Sequence, residues 1–269
     1  MKIHPTAIVS PSAVLGDDVE IGPHAIIGDD VTIGSGCVVQ AHAFIEKNVT
    51  MGEGNFIGYG CVIGAAPQDF AYTPGIHSEV RIGDRNRFRE YVTVHRGTKE
   101  GTATTVGSDC FLMVGTHLGH NVFLANHVII TNNCLLAGYV DVGEGAVLGG
   151  GSVFHQFMRI GRRAMIAGSS SFNKDIPPFV TANFRNLLVG INAIGLRRSG
   201  FPSEVRMEIK RAFKLVYRSG LSVRDGLAEA KKSEWGAEVQ EFFAFIASSK
   251  RGTCTANRLA SAASEADDE

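Results

Sequence analysis

Two histidines three residues apart, in the run His117-Leu118-Gly119-His120-Asn121, are the strongest chemical signal in the chain. Imidazole titrates near neutral pH, so a histidine held beside a polar ligand can take a proton from a weak nucleophile. A second polar group, His155-Gln156, follows farther along. Histidines also bind metals, but His117, His120 and His127 lack the spacing of a shared three-histidine zinc site, and no acidic proton shuttle accompanies them; no metal is expected. The five cysteines form no CxxC pair and are odd in number, which points away from a disulfide framework or zinc ribbon and toward a reducing, cytoplasmic setting. A formal net charge of -1 argues against nucleic-acid binding. No apolar run approaches the roughly 20 residues of a membrane span, and the start, Met1-Lys2-Ile3-His4-Pro5, lacks a signal core, so no stable membrane insertion is expected.

The elements that must position these histidines are written in a six-residue period. From Ile3, every sixth residue to Ile63 is apolar; the pattern resumes at Ile82, Phe88 and Val94 and again from Val106 to Ile166. This matches neither a helix nor an isolated strand, and it predicts a β-helix with six residues per face and 18 per coil. The fourth residue after each apolar one is small (Ala7, Ala25, Cys37, Cys61, Cys110, Cys134), as a narrow prism filled by one large and one small inward side chain requires. Four of the five cysteines therefore read as core. The glycine that often follows the apolar residue (Gly16, Gly22, Gly34, Gly143) is expected where the turning backbone needs conformational freedom. His4, His24, His42 and His127 fall on outer positions and read as surface or inter-subunit packing.

Adding 18 to a position gives its neighbour one coil up, stacking His120, Gly138 and Gln156, and beside them Asn121, Tyr139 and Phe157. Polar and aromatic groups around a glycine gap fit a ligand cleft; they fit a seam between trimer subunits equally well. The period breaks twice, at residues 65–79, which shift its phase by one, and at residues 95–105, where Glu100 replaces an apolar residue. Both are expected to be loops that carry binding groups. The main domain is assigned to 1–189, a helical domain to 190–251 and a disordered tail to 252–269. In the helical part Val205, Ile209, Ala212, Phe213 and Val216 form one stripe, Ser222 is placed to cap a short helix, and Trp235, Val239, Phe242, Phe243 and Ile246 form another. Arg206, Lys210, Arg211, Lys214 and Arg218 crowd one helix, which suits either docking of an acidic partner or a solvated face.

The segments IHPTAIV, PQDFAY (67–72), IGDRNRFREYVTVHRGT (82–98), HLGHN (117–121), FHQF (154–157), DIPPFV (175–180) and GINAIGLRRSGF (190–201) resemble the bacterial UDP-N-acetylglucosamine O-acyltransferases, which begin lipid A biosynthesis, from end to end except for the tail. The resemblance implies a mainly β protein, a left-handed parallel β-helix of hexapeptide repeats with a C-terminal α-helical domain, assembled as a homotrimer with its sites between prisms. It implies transfer of an (R)-3-hydroxyacyl chain from acyl carrier protein to the 3-hydroxyl of UDP-N-acetylglucosamine, with no cofactor. By the same resemblance His120 is the general base and Gly138 the amide donor to the thioester oxygen. Gln68, Asp69, His117, Asn121, Tyr139, His155, Gln156, Asn192 and Arg198 fall on substrate-binding positions, and Gly168 on the position that limits acyl-chain length. The chain departs from the common pattern at Asn121 (usually Asp), Ala71 (often Lys), Tyr139 (often His) and Ile194 (often Glu). These departures leave a 3-amino UDP-sugar open as acceptor; a separate alternative is an acyltransferase of the same fold that uses acyl-CoA as donor.

Overall fold

The computed structural model describes residues 1–256. Strands of two to five residues stack into three sheets of 12, 9 and 8 strands, which form the flat faces of a prism. Pairing within the prism is parallel, and in its first coils partners keep the step of 18, as in Ile3↔Ile21 and Ile33↔Met51. The apolar residue of each face points inward: Ile27, Ile45, Leu112 and Leu118 are at most 1% exposed, as are their small companions Ala43, Cys37, Cys61, Cys110 and Cys134. An interior this tightly filled relaxes little around a void, so truncating Leu118 to alanine costs about 2–5 kcal/mol.

The glycine after each apolar residue has a different purpose from the one its position suggests. Left-handed backbone occurs two residues later, at Asp18, His24, Asp30, Gly36 and their equivalents around the prism. At Gly34 and Gly143 the backbone is ordinary, but a Cβ would lie 2.5 Å from backbone of the next coil. Glycine is needed there for close approach between coils, while the left-handed turn two positions on is taken most often by Asp, Asn, His or Gly and also by Tyr139 and Phe157.

The two breaks in the period are insertions. Val62 pairs with Thr93 and Thr93 with His117, which lengthens the step to 31 and then 24; His117↔Leu135 restores the step of 18. The first inserted loop leaves strand Val62–Ala65 and returns at Glu79–Ile82, and the second leaves Thr93–His95 and returns at Ala103–Val106. Both therefore emerge from the same edge of the prism, one coil apart. The next coil along that edge carries His120, between strands His117–Leu118 and Phe123–Leu124. The stacking of coils thus brings residues distant in sequence to one edge.

Past the last coil, strand Leu187–Ile191 folds back antiparallel on Val180–Asn183. Four helices follow: α1 (Ala193–Arg198), α2 (Ser203–Tyr217), α3 (Val223–Ala230) and α4 (Ala237–Ala247). Helix α2 buries Ile209, Ala212, Phe213 and Val216, Ser222 caps α3 by accepting from the Asp225 N–H, and α4 buries Val239, Phe242 and Ile246. Arg162 ties α4 to the prism through Glu241 at 2.8 Å. The tail expected to be disordered from residue 252 stays ordered at first. Cys254 is fully buried, the Thr253 hydroxyl meets Tyr217 at 2.8 Å, and Thr255–Ala256 pair with Leu187–Leu188. An edge strand left open by the hairpin supplies the hydrogen bonds that a polar composition does not reveal. Residues 257–269 lie outside the described residues.

Candidate active site

His120 is 7% exposed and makes a contact through each ring nitrogen: Nδ1 lies 3.1 Å from Asn121 Oδ1 and Nε2 3.2 Å from Asp69 Oδ2. Asn121 Oδ1 also accepts from the Thr98 backbone N–H at 3.0 Å and from the Thr98 hydroxyl at 3.1 Å. A backbone N–H can only donate, so the Asn121 atom facing His120 is its oxygen, and Nδ1 must carry a proton. A carboxylate only accepts, so the Asp69 contact also requires a proton on Nε2; the neutral imidazole left when Asp69 gives way keeps its proton on Nδ1 and turns the Nε2 lone pair to the cleft. Beneath it, a Cβ on Gly138 would fall 2.2 Å from His120 Cε1, so only glycine leaves room for the ring. On either side of Gly138, Ala137 and Tyr139 donate to the Phe154 and His120 carbonyls, whereas the Gly138 N–H has no acceptor among the described residues, as at the same turn position of other coils (Ala41, Val114, Gln156).

Asp69 comes from the first inserted loop. Its carboxylate accepts from the Ala71 N–H at 2.8 Å and its carbonyl from the Tyr72 N–H at 3.0 Å. Tyr72 is held by Arg96, which is 5% exposed and donates to the Tyr72 hydroxyl at 3.0 Å, to Glu46 at 3.1 Å and to the Gly64 carbonyl at 2.6 Å. A buried guanidinium with these partners fixes the loop to the prism and so sets where Asp69 stands.

His117 meets the Thr93 hydroxyl through Nδ1 at 2.7 Å, and His95 packs edge-on to it at 4.9 Å. Burial lowers the pKa of both. That of His95 is pushed down to about 4, chiefly by burial and further by His117, His120 and Arg96. The cleft around these groups has a volume of about 680 Å³. It begins at Gln68, Asp69 and Phe70, passes His95, His117, His120 and Gly138, and ends at Asn173, Arg185 and Asn186. Between the ends, Leu135 and Val153 stand one and two coils above His117 and are 46% and 40% exposed, forming an apolar strip. His155 and Gln156 line the cleft farther along the same edge. Tyr139 stacks on Phe157 at 4.9 Å and presents its ring to the His120 edge at 5.3 Å.

Of the residues singled out from sequence, Gln68, Asp69, His117, His120, Gly138, His155 and Gln156 share this cleft, with Asn121 and Tyr139 beside it. Gly168, Asn192 and Arg198 do not line it. Gly168 lies at the next corner of the prism, against Gly150, and Asn192 caps α1, donating as well to the Arg163 carbonyl. Arg198 is exposed in the last turn of α1. The regular step could not reveal His95, because the second insertion separates it from the coil that carries His117 and His120 by more than one repeat length. Thr93, Arg96 and Thr98 escaped for the same reason, and Phe70 because it sits in the irregular first loop. Of the basic residues on α2 and at its C-terminal cap, Lys210, Arg211 and Lys214 are exposed, while Arg206 and the capping Arg218 are half-buried and Arg218 donates to the Val189 carbonyl.

The six-residue repeat and the histidine-lined cleft define a hexapeptide-repeat transferase: residues 12–47 match the family described as "Bacterial transferase hexapeptide (six repeats)". Residues 175–254 match "Udp N-acetylglucosamine O-acyltransferase; Domain 2". The acyl-(acyl-carrier-protein)–UDP-N-acetylglucosamine O-acyltransferase of Burkholderia lata is 41% identical, over 93% of this chain and 98% of its own. Its namesake in Herminiimonas arsenicoxydans is 42% identical over the same shares. Among solved structures, the enzyme of the same type from Acinetobacter baumannii superposes with a TM-score of 0.89 at 36% identity, covering 93% of this chain and 98% of that one. The chain belongs to the UDP-N-acetylglucosamine O-acyltransferase family, and its prism is a left-handed parallel β-helix.

Proposed function

We propose that this protein transfers an (R)-3-hydroxyacyl chain from acyl carrier protein to the 3-hydroxyl of UDP-N-acetylglucosamine, the first step of lipid A biosynthesis, with His120 as general base. The observation that carries the reading is the His120 ring, whose Nδ1 proton is fixed by Asn121 and whose Nε2 faces a cleft with an apolar strip. The sugar hydroxyl takes the place of Asp69 at Nε2 and attacks the thioester carbonyl carbon as its proton passes to Nε2. The Gly138 N–H donates to the oxyanion that develops, a role its lack of any acceptor among the described residues suits. Collapse expels the carrier's thiolate, which recovers the proton from Nε2. No acyl-enzyme is required, and the free cysteines, all buried, offer no nucleophile to the cleft.

In this reading Gln68, Asp69 and His117 bind the sugar, with Asn121 and Tyr139 beside the base, and His155 and Gln156 meet the acyl or nucleotide portion. Gly168, Asn192 and Arg198 reach a substrate only from a second copy lying alongside, so the working unit is a homotrimer, with Gly168 limiting acyl length and Asn192 and Arg198 holding the nucleotide. Lys210, Arg211 and Lys214 give the acidic carrier protein a basic surface. The enzyme works in the cytoplasm without a cofactor; no helix among the described residues is long and apolar enough to cross a membrane. A panel of carrier-protein thioesters and the matching acyl-CoA, each offered with UDP-N-acetylglucosamine and its 3-amino analogue, tests the assignment. Carrier-dependent ester formation on the hydroxyl sugar is expected. Turnover with acyl-CoA alone, or with the amino sugar alone, would reassign donor or acceptor.

A further inference from the structure

The family's usual aspartate after the general base is replaced here by Asn121, and a carboxamide has a wrong face. A carboxylate presents oxygen either way; a carboxamide turned over would present its NH2 to His120 Nδ1, draw the ring proton to Nε2 and remove the lone pair that must accept the substrate proton. Something must hold the oxygen toward the ring. Thr98, from the second inserted loop, gives Asn121 Oδ1 two donors, its backbone N–H at 3.0 Å and its hydroxyl at 3.1 Å. Because the Thr98 hydroxyl proton is committed to Asn121, the Tyr139 hydroxyl 3.2 Å away must donate to Thr98 Oγ1. Thr98 is 5% exposed, so water does not compete well for these bonds. The Asn121 backbone is held as well: its N–H donates to Thr104 Oγ1 at 2.7 Å, and Thr104 donates to the His95 carbonyl at 2.6 Å. The hydrogen bonds that reach the Asn121 carboxamide run one way, from Tyr139 through Thr98 to Asn121 Oδ1, where they meet the Nδ1–H of His120.

We propose that Thr98, with Tyr139 behind it, is a positioning residue that locks the Asn121 carboxamide so that an uncharged group fixes the reactive tautomer of His120. The inference rests on His120 being the general base. Thr98 touches no substrate in this account; it acts through Asn121.

The test is steady-state kinetics on the full-length enzyme with Thr98→Val, Thr98→Ser, Asn121→Asp, the Thr98→Val/Asn121→Asp double variant and His120→Ala, using carrier-protein thioester and UDP-N-acetylglucosamine. Removing one of the two locking donors should lower kcat about 3- to 10-fold in Thr98→Val while KM for the sugar changes less than about two-fold. Thr98→Ser, which keeps the hydroxyl, should retain kcat. The discriminating result is the double variant: with aspartate at 121 there is no wrong face, so Thr98→Val should then cost little relative to Asn121→Asp alone. An equal fractional loss in both backgrounds would mean that the threonine supports only local packing and would overturn the proposal, as would an unchanged kcat in Thr98→Val. His120→Ala separates the two readings: if it is inactive while Thr98→Val is normal, only the lock fails, and if it is active, the general base itself is wrong.

Discussion

Replacing Gly138 by alanine tests the geometry of the base with one methyl group. The backbone at Gly138 is not left-handed, so alanine fits it without torsional strain, and no change in folding is expected from the main chain. The side chain is another matter: its Cβ would sit 2.2 Å from Cε1, 2.3 Å from Nε2 and 2.9 Å from Nδ1 of His120. Ordinary carbon contacts are about 3.5 Å or longer, so the ring must retreat by roughly 1.3 Å. A retreat of that size breaks the 3.1 Å contact with Asn121 and takes Nε2 out of line with an incoming hydroxyl. Displacements of about 1 Å at a reacting group cost on the order of 100-fold in rate. The expected outcome is a kcat lowered about 100-fold with the melting temperature within a few degrees of the parent, read by acyl-transfer kinetics alongside differential scanning calorimetry. A variant that folds normally and keeps its kcat would refute the placement of His120 over this glycine.

Other expectations follow from burial and charge. His95, pushed down to about 4 in the folded protein, binds its proton more readily in the unfolded chain, so its contribution is complete above about pH 6.5 and is lost as pH falls toward 4. Urea midpoints measured from pH 7 to 4.5 should fall more steeply in the parent than in His95→Asn, and parallel curves would exclude the effect. Arg96→Met leaves Glu46 half-buried without its cation and should destabilise by about 3–5 kcal/mol in urea unfolding, with a raised KM for the sugar as the 65–79 loop loosens. Under the proposed ruler role, Gly168→Met should shift preference toward shorter acyl chains in a competition assay; an unchanged profile would free Gly168 from that role.

The repeat made most of this molecule legible because each inward position answers to one constraint, the width of the prism. Cys37, Cys61, Cys110 and Cys134 could be placed in the core by counting alone, and the same count stacks Gly138 and Gln156 on His120. Counting fails where the chain leaves the prism. Two insertions change the step to 31 and then 24, which hid His95 and Thr98 although both lie within a coil of His120. The Asp69 contact was similarly invisible, since an irregular loop carries no period from which its path could be read. Loops of this kind are set by tertiary bonds, here those of Arg96, rather than by local sequence. The glycines were found in the right places for the wrong reason: composition cannot tell a residue needed for its backbone angle from one needed for its missing side chain. Asn192 shows a related limit, because a motif match is blind to the helix cap its side chain already makes.

The most direct measurement of the central claim is a single-turnover experiment with saturating enzyme, an (R)-3-hydroxyacyl carrier-protein thioester and UDP-N-acetylglucosamine, comparing the parent with His120→Ala. Ester formed at the sugar 3-position by the parent is expected, with a rate lowered by about 100-fold or more in the variant, the scale of general-base loss, and the fold intact. A His120→Ala enzyme that forms the same ester at nearly the parent rate would contradict that claim.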